Sequence, residues 1–176
     1  RRSRLLRSRG ASKAARAQLE TSLLHGRHHP FRALALFELA DLHVESERYA
    51  QAENVLETVR REQQGKDDAF EAIYRHAELA VLQGKFEKAQ SLLNKVIEGG
   101  TRRSAFNDAL DLSRILTVGT QDHAAGLAVY SEAWRLERAG RFEEALTTLS
   151  DAPQGKLDDV NLKRQVDLNL RLGHHR

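Results

Sequence analysis

The sequence has no cysteine and no methionine, and only two prolines, Pro30 and Pro153. Without cysteine there is no disulfide, no thiolate nucleophile and no cysteine-ligated zinc. The same absence leaves a cytoplasmic and a periplasmic location equally open. Aromatic residues make up 6% of the chain, so leucine and alanine must fill the interior, which favours helices over a β-sandwich or barrel. No run approaches the roughly 18 apolar residues of a membrane span. Leu5 and Leu6 are followed at once by Arg7 and Arg9, so the basic start lacks the apolar stretch of a signal peptide. A chain without methionine that opens on Arg1 is expected to be a fragment or a processed product.

Against these absences stand 176 residues, 40% of them hydrophobic and 30% charged. That size suits one domain with a real core, and disorder throughout is excluded. Residues 1–176 are therefore read as a single domain. The formal net charge is +3, yet Arg1, Arg2, Arg4, Arg7 and Arg9 alone supply +5, leaving the rest of the chain at −2. Basicity is a property of one end. That end reads as a charged helix face or as a contact for an acidic partner; with no interleaved aromatics for base stacking, nucleic acid is disfavoured.

The informative feature is an internal repeat. A small residue (Ala40, Ala77, Ala133) is followed nine residues later by an aromatic (Tyr49, Phe86, Phe142). Three further on comes an alanine (Ala52, Ala89, Ala145), and four beyond that a leucine (Leu56, Leu93, Leu149). Gly84 and Gly140 stand two residues before the aromatic, with Glu47 in that slot of the first copy. Apolar residues ahead of the glycine recur at helical spacing. A glycine able to take positive φ ends that helix, and a second begins near the aromatic. The paired alanines let two antiparallel axes approach closely, while the aromatic plugs the turn.

This set of positions resembles the tetratricopeptide repeat (TPR). The resemblance covers residues 32–60, 69–98 and 126–151. It implies an all-α fold, a right-handed α-α superhelix built as a TPR-like solenoid. About three helix-turn-helix repeats are expected, with one inserted helix over 103–117. Residues 11–24 are expected to form the second helix of a truncated repeat, and 158–172 a terminal helix. The spacing departs from the family in places. Ala52 and Ala89 are 37 residues apart where the family uses about 34. Ala89 and Ala145 are 56 apart, which is what calls for the inserted helix, ended by Val118-Gly119-Thr120. That helix either takes an in-line slot or packs outside. The terminal helix either lies against the third pair or awaits a partner.

Catalytic constellations are absent from the linear pattern. Paired acids such as Glu143-Glu144 and Asp158-Asp159 read as solvated helix faces, and no phosphate loop or nucleophile elbow occurs. His25, His28 and His29 have metal-compatible spacing, but Gly26 and Pro30 mark that stretch as a turn. His174 and His175 read as tail, and His43 and His76 as packing. No catalytic residue, metal or cofactor is assigned, and the chain reads as a non-enzyme.

The resemblance does suggest a binding face. In TPR proteins the first helix of each repeat lines a concave groove. Its positions, three before and one after the small residue, hold Phe37 and Asp41, Tyr74 and Glu78, and Tyr130 and Trp134. Aromatics are over-represented where one protein grips another, and the two acids favour a basic or aromatic protein or peptide segment. The function implied is a non-catalytic protein–protein interaction scaffold that binds a segment in the groove. The alternative is a structural or assembly module, stacking on other copies by self-association or on the rest of a longer repeat chain.

Overall fold

The computed structural model describes residues 12–25 and 30–173. The basic start, His28, His29, His174 and His175 lie outside the described residues. Nine helices and no strand occur among the described residues: α1 (Ser12–His25), α2 (Arg32–Glu45), α3 (Tyr49–Glu62), α4 (Asp67–Leu82), α5 (Phe86–Glu98), α6 (Phe106–Asp122), α7 (Ala124–Arg138), α8 (Phe142–Ser150) and α9 (Asp158–Leu172). Successive helices pack together from α1 to α3 and from α5 to α9, and the fold is an all-α TPR-like solenoid. None of the described helices is long and apolar enough to cross a membrane.

Three helix pairs, α2–α3, α4–α5 and α7–α8, share one turn. Glu47, Gly84 and Gly140 take left-handed φ values of 53°, 68° and 76°. The next residue's N–H then reaches back to the first helix: Arg48 to the His43 carbonyl at 2.8 Å, Lys85 to Ala80 at 2.8 Å and Arg141 to Leu136 at 2.9 Å. The left-handed residue's own N–H bonds the carbonyl three before it, at 2.9, 2.8 and 3.0 Å. This is a Schellman closure, which satisfies carbonyls left over at a helix end. The aromatic of the repeat is the first residue of each second helix, at Tyr49, Phe86 and Phe142.

Two compact units divide the chain after Ala72. In the first, Leu19 of α1 packs with Leu39 and Leu42 of α2, and Val55 of α3 joins them. Arg32 fastens the ends of these helices. Its guanidinium donates to both Glu62 carboxylate oxygens at 2.8 and 3.0 Å and to the Leu23 carbonyl at 3.0 Å.

In the second unit, Ala77, Ala80 and Val81 of α4 share a core with Ala89, Leu93 and Val96 of α5. The inserted helix α6 adds Ala105 beside its start and Ala109, Leu112 and Leu116 to that same core, and α7 adds Leu127 and Tyr130. The extra helix therefore takes an in-line slot. The Ser131 hydroxyl on α7 donates to the Val81 carbonyl at 2.6 Å, so the first helices of two repeats still touch.

The inserted helix runs from Phe106 to Asp122, where the sequence reading placed it over 103–117, and Gly119 lies inside it. A Cβ at Gly119 would stand 2.8 Å from Leu127 Cβ. The glycine there allows α6 and α7 to close up and does not stop the helix.

Candidate functional site

The positions that the repeat resemblance suggests for a binding face divide between the two units. In the first, Phe37 is buried and Asp41 half-buried. In the second, Tyr130 is buried, while Tyr74, Glu78 and Trp134 are half-buried. Tyr74 and Trp134 both pack against the core that contains Tyr130. These aromatics therefore do two things at once: each fills space between helices, and the half-buried ones keep an edge at the surface.

Tyr130, Trp134 and Glu137 stand at i, i+4 and i+7, which places them along one face of α7. The Tyr130 and Trp134 rings meet edge-on, with centroids 5.8 Å apart and planes at 61°. Over both lies a guanidinium from α9. The Arg164 Cζ is 4.8 Å from the Tyr130 centroid and 5.0 Å from that of Trp134, within the range in which an aromatic face attracts a cation. Arg164 Nη1 donates to Glu137 Oε2 at 2.7 Å, and Nη2 donates to the Tyr130 hydroxyl at 3.2 Å. Arg171, two turns further along α9, donates to Glu137 Oε1 at 2.9 Å. The side chains of Arg164 and Glu137 are only 18% and 15% exposed, so solvent screens this pair less than a surface ion pair.

Tyr74 and Glu78 form the neighbouring pair on α4. Burial, reinforced by the nearby carboxylates of Glu78 and then Asp108, pushes the Tyr74 hydroxyl far above the ordinary tyrosine range. The phenol therefore stays neutral and serves Glu78 as a hydrogen-bond donor. The arrangement as a whole is aromatic and acidic. It can hold a cation by ring faces and carboxylates.

Sequence reasoning missed Glu137, Arg164 and Arg171. Glu137 was within reach, being one turn beyond Trp134. The arginines were not, since nothing local says that α9 folds back onto α7. A separate open cleft of about 730 Å³ lies along α5 and α6, lined by side chains that include Gln90, Asn94, Thr117 and Gln121. It shares no lining residue with the aromatic face. Gln90 spans it, donating to Ser113 Oγ at 2.6 Å and to Asn94 Oδ1 at 3.1 Å.

Residues 71–98 match the family model described as tetratricopeptide repeat. The matched segment covers most of α4 and all of α5. No curated protein matches the chain. Such repeats are typically non-catalytic interaction modules, and the match suggests a protein–protein interaction or scaffold role. Joined to the hairpin architecture with its thrice-repeated turn, it makes this chain a TPR-like helical-repeat protein.

Proposed function

We propose that the protein is a non-catalytic scaffold that holds a basic protein segment on the groove positions of its first helices. Tyr74, Glu78, Tyr130 and Trp134 form that surface in the second unit; Phe37 and Asp41 occupy the same positions in the first. The observation that carries the reading is the Arg164 guanidinium, lying over Tyr130 and Trp134 and bonded to Glu137. This face already holds an arginine offered on a helix. An incoming arginine or lysine meets the same chemistry at Tyr74 and Glu78, or competes for the place of Arg164.

The test compares the intact chain with two variants in partner capture and in titration with Arg-bearing peptides. Trp134 is the one tryptophan, so its emission reports directly on the face. Tyr74→Ala with Trp134→Ala is expected to lose capture with helicity intact. Glu78→Arg is expected to weaken basic peptides and spare acidic ones. Unchanged capture by both variants would refute the groove assignment.

A further inference from the structure

The Tyr130–Trp134 face is already covered by a piece of the same chain. The terminal helix α9 lies against the third pair and presents one stripe to it: Val160, Arg164, Leu168 and Arg171, at i, i+4, i+8 and i+11. Val160 packs on the core that contains Tyr130, and Leu168 is buried with Ala133, Ala145 and Leu149. Between them Arg164 lies over both rings and, together with Arg171, takes both carboxylate oxygens of Glu137. Anchors one turn apart along one face are how an amphipathic helix is read in a groove.

The fit has one flaw. Asn161 is 3% exposed, and among the described residues neither its amide nitrogen nor its amide oxygen has a hydrogen-bond partner. A buried polar group left without a partner costs its full desolvation. Asparagine is also a poorer helix former than leucine. On both counts the resident helix falls short of the best occupant of its own site.

We propose that α9 is a displaceable stand-in for the ligand, and that the ligand is an amphipathic helix of a partner protein. That helix carries the same stripe, an apolar residue, arginine, leucine and arginine at i, i+4, i+8 and i+11, with an apolar residue where α9 has Asn161. The idea rests on the groove function proposed above and gives its basic segment a conformation and a register. Displacement follows from the difference between the two helices. The ligand makes the contacts of α9 without the unpaired amide. Against it stands the fraction of time that α9 is docked, which lowers its apparent affinity accordingly. A second copy of this chain is the poorer occupant. Its α9 brings the same Asn161, so it gains nothing over the resident helix, and it loses the entropy of association besides.

The probe is a fluorescein-labelled peptide of residues 157–172 carrying Asn161→Leu, titrated into the whole chain and followed by anisotropy. One substitution then acts in opposite directions on the two sides. In the peptide, Asn161→Leu is expected to tighten binding at least about fivefold over the natural sequence, since it removes a buried unpaired group. In the whole chain, the same substitution is expected to weaken capture of that peptide at least about fivefold, because the resident helix docks better. Arg164→Ala in the peptide should abolish binding, whereas Arg164→Ala in the chain should strengthen it. Circular dichroism verifies the folding of each chain variant. If the Asn161→Leu chain captures the peptide as well as the intact chain does, the proposal is overturned, as it is by a lack of saturable binding. Concentration-dependent mass of the intact chain that Arg164→Ala abolishes would give the site to a second copy, and would overturn it equally. Should these peptides fail while other Arg-bearing peptides still bind through Trp134, the stand-in falls and the groove function survives; should neither kind bind, both fall.

Discussion

Replacing Glu47 by glycine should make the protein more stable. The three hairpin turns have matching hydrogen bonds, yet only the first places a residue with a Cβ in the left-handed region, at φ 53°. An L-residue there costs roughly 1–2 kcal/mol. Glycine removes that cost, and gives back roughly 0.4–1 kcal/mol through the greater freedom of the unfolded chain. The net gain is therefore about 0.5–1 kcal/mol. For a chain of this length each kcal/mol moves the melting temperature by roughly 2–4 °C. The opposite exchange is predicted from the same reasoning. A Cβ at Gly84 or Gly140 would meet nothing within 4 Å, so Gly84→Ala and Gly140→Ala each carry the backbone cost with no clash added. Each should lose about 0.5–1 kcal/mol. The assay is urea unfolding followed by circular dichroism, with Glu47→Ala as the control. Alanine removes the carboxylate and keeps the Cβ, so the difference between the glycine and alanine variants isolates the backbone. If Glu47→Gly is no more stable than Glu47→Ala, strain in this turn does not distinguish the first repeat, and the argument fails.

Gly119→Ala tests the tight packing of the inserted helix. Better helix propensity favours alanine by about 1 kcal/mol, but the new methyl would stand 2.8 Å from the Cβ of buried Leu127, and overpacking costs about 1–3 kcal/mol. A net loss near 1 kcal/mol is expected in urea unfolding; a gain would place the α6–α7 contact wrongly. Arg164→Ala should destabilise the second unit by about 1.5–3 kcal/mol, the range for hydrogen bonds to charged groups, and should alter Trp134 emission. Arg164→Lys should recover part of the stability, and unchanged emission in the alanine variant would remove the cation from over the rings. His43 gives a pH dependence. Burial, then Arg16, lowers its pKa, Arg48 lowers it further and Glu20 opposes them. The folded chain prefers the neutral ring, whereas the unfolded chain binds a proton near the ordinary value of about 6.5. The contribution of His43 is complete above that pH and is lost as pH falls below it. His43→Phe should flatten the stability profile between about pH 7 and pH 5; an unchanged slope would assign the dependence to other groups.

Much of the hairpin geometry can be read from residue order because each part of it is short-range. A left-handed residue, an aromatic two positions on and alanines on facing turns all act within a dozen residues of one another. Tyr49, Phe86 and Phe142 therefore mark the starts of α3, α5 and α8 without reference to the rest of the chain. Gly119 shows where that logic stops. A glycine that ends a helix and a glycine that admits a neighbouring helix are the same letter, and only Leu127 packed against it tells them apart. The proposed binding face divides in the same way. The places of Tyr74, Glu78, Tyr130 and Trp134 on their helices follow from the repeat, but the burial of Tyr130 and Phe37 depends on what packs over them.

By itself, the sequence determined the repeat: small residue, left-handed turn, aromatic and second alanine, each a local steric or conformational requirement carried by the residues that satisfy it. The tertiary structure alone decided how α9 is used. Arg164 reaches Tyr130 and Glu137 across 34 and 27 residues of chain, and Leu168 joins the core of the third hairpin while Leu162, Val166 and Leu170 face solvent. An amphipathic pattern says that a helix has apolar positions. Which of them are covered depends on whether another helix lies there, and that is a contact between distant parts of the chain.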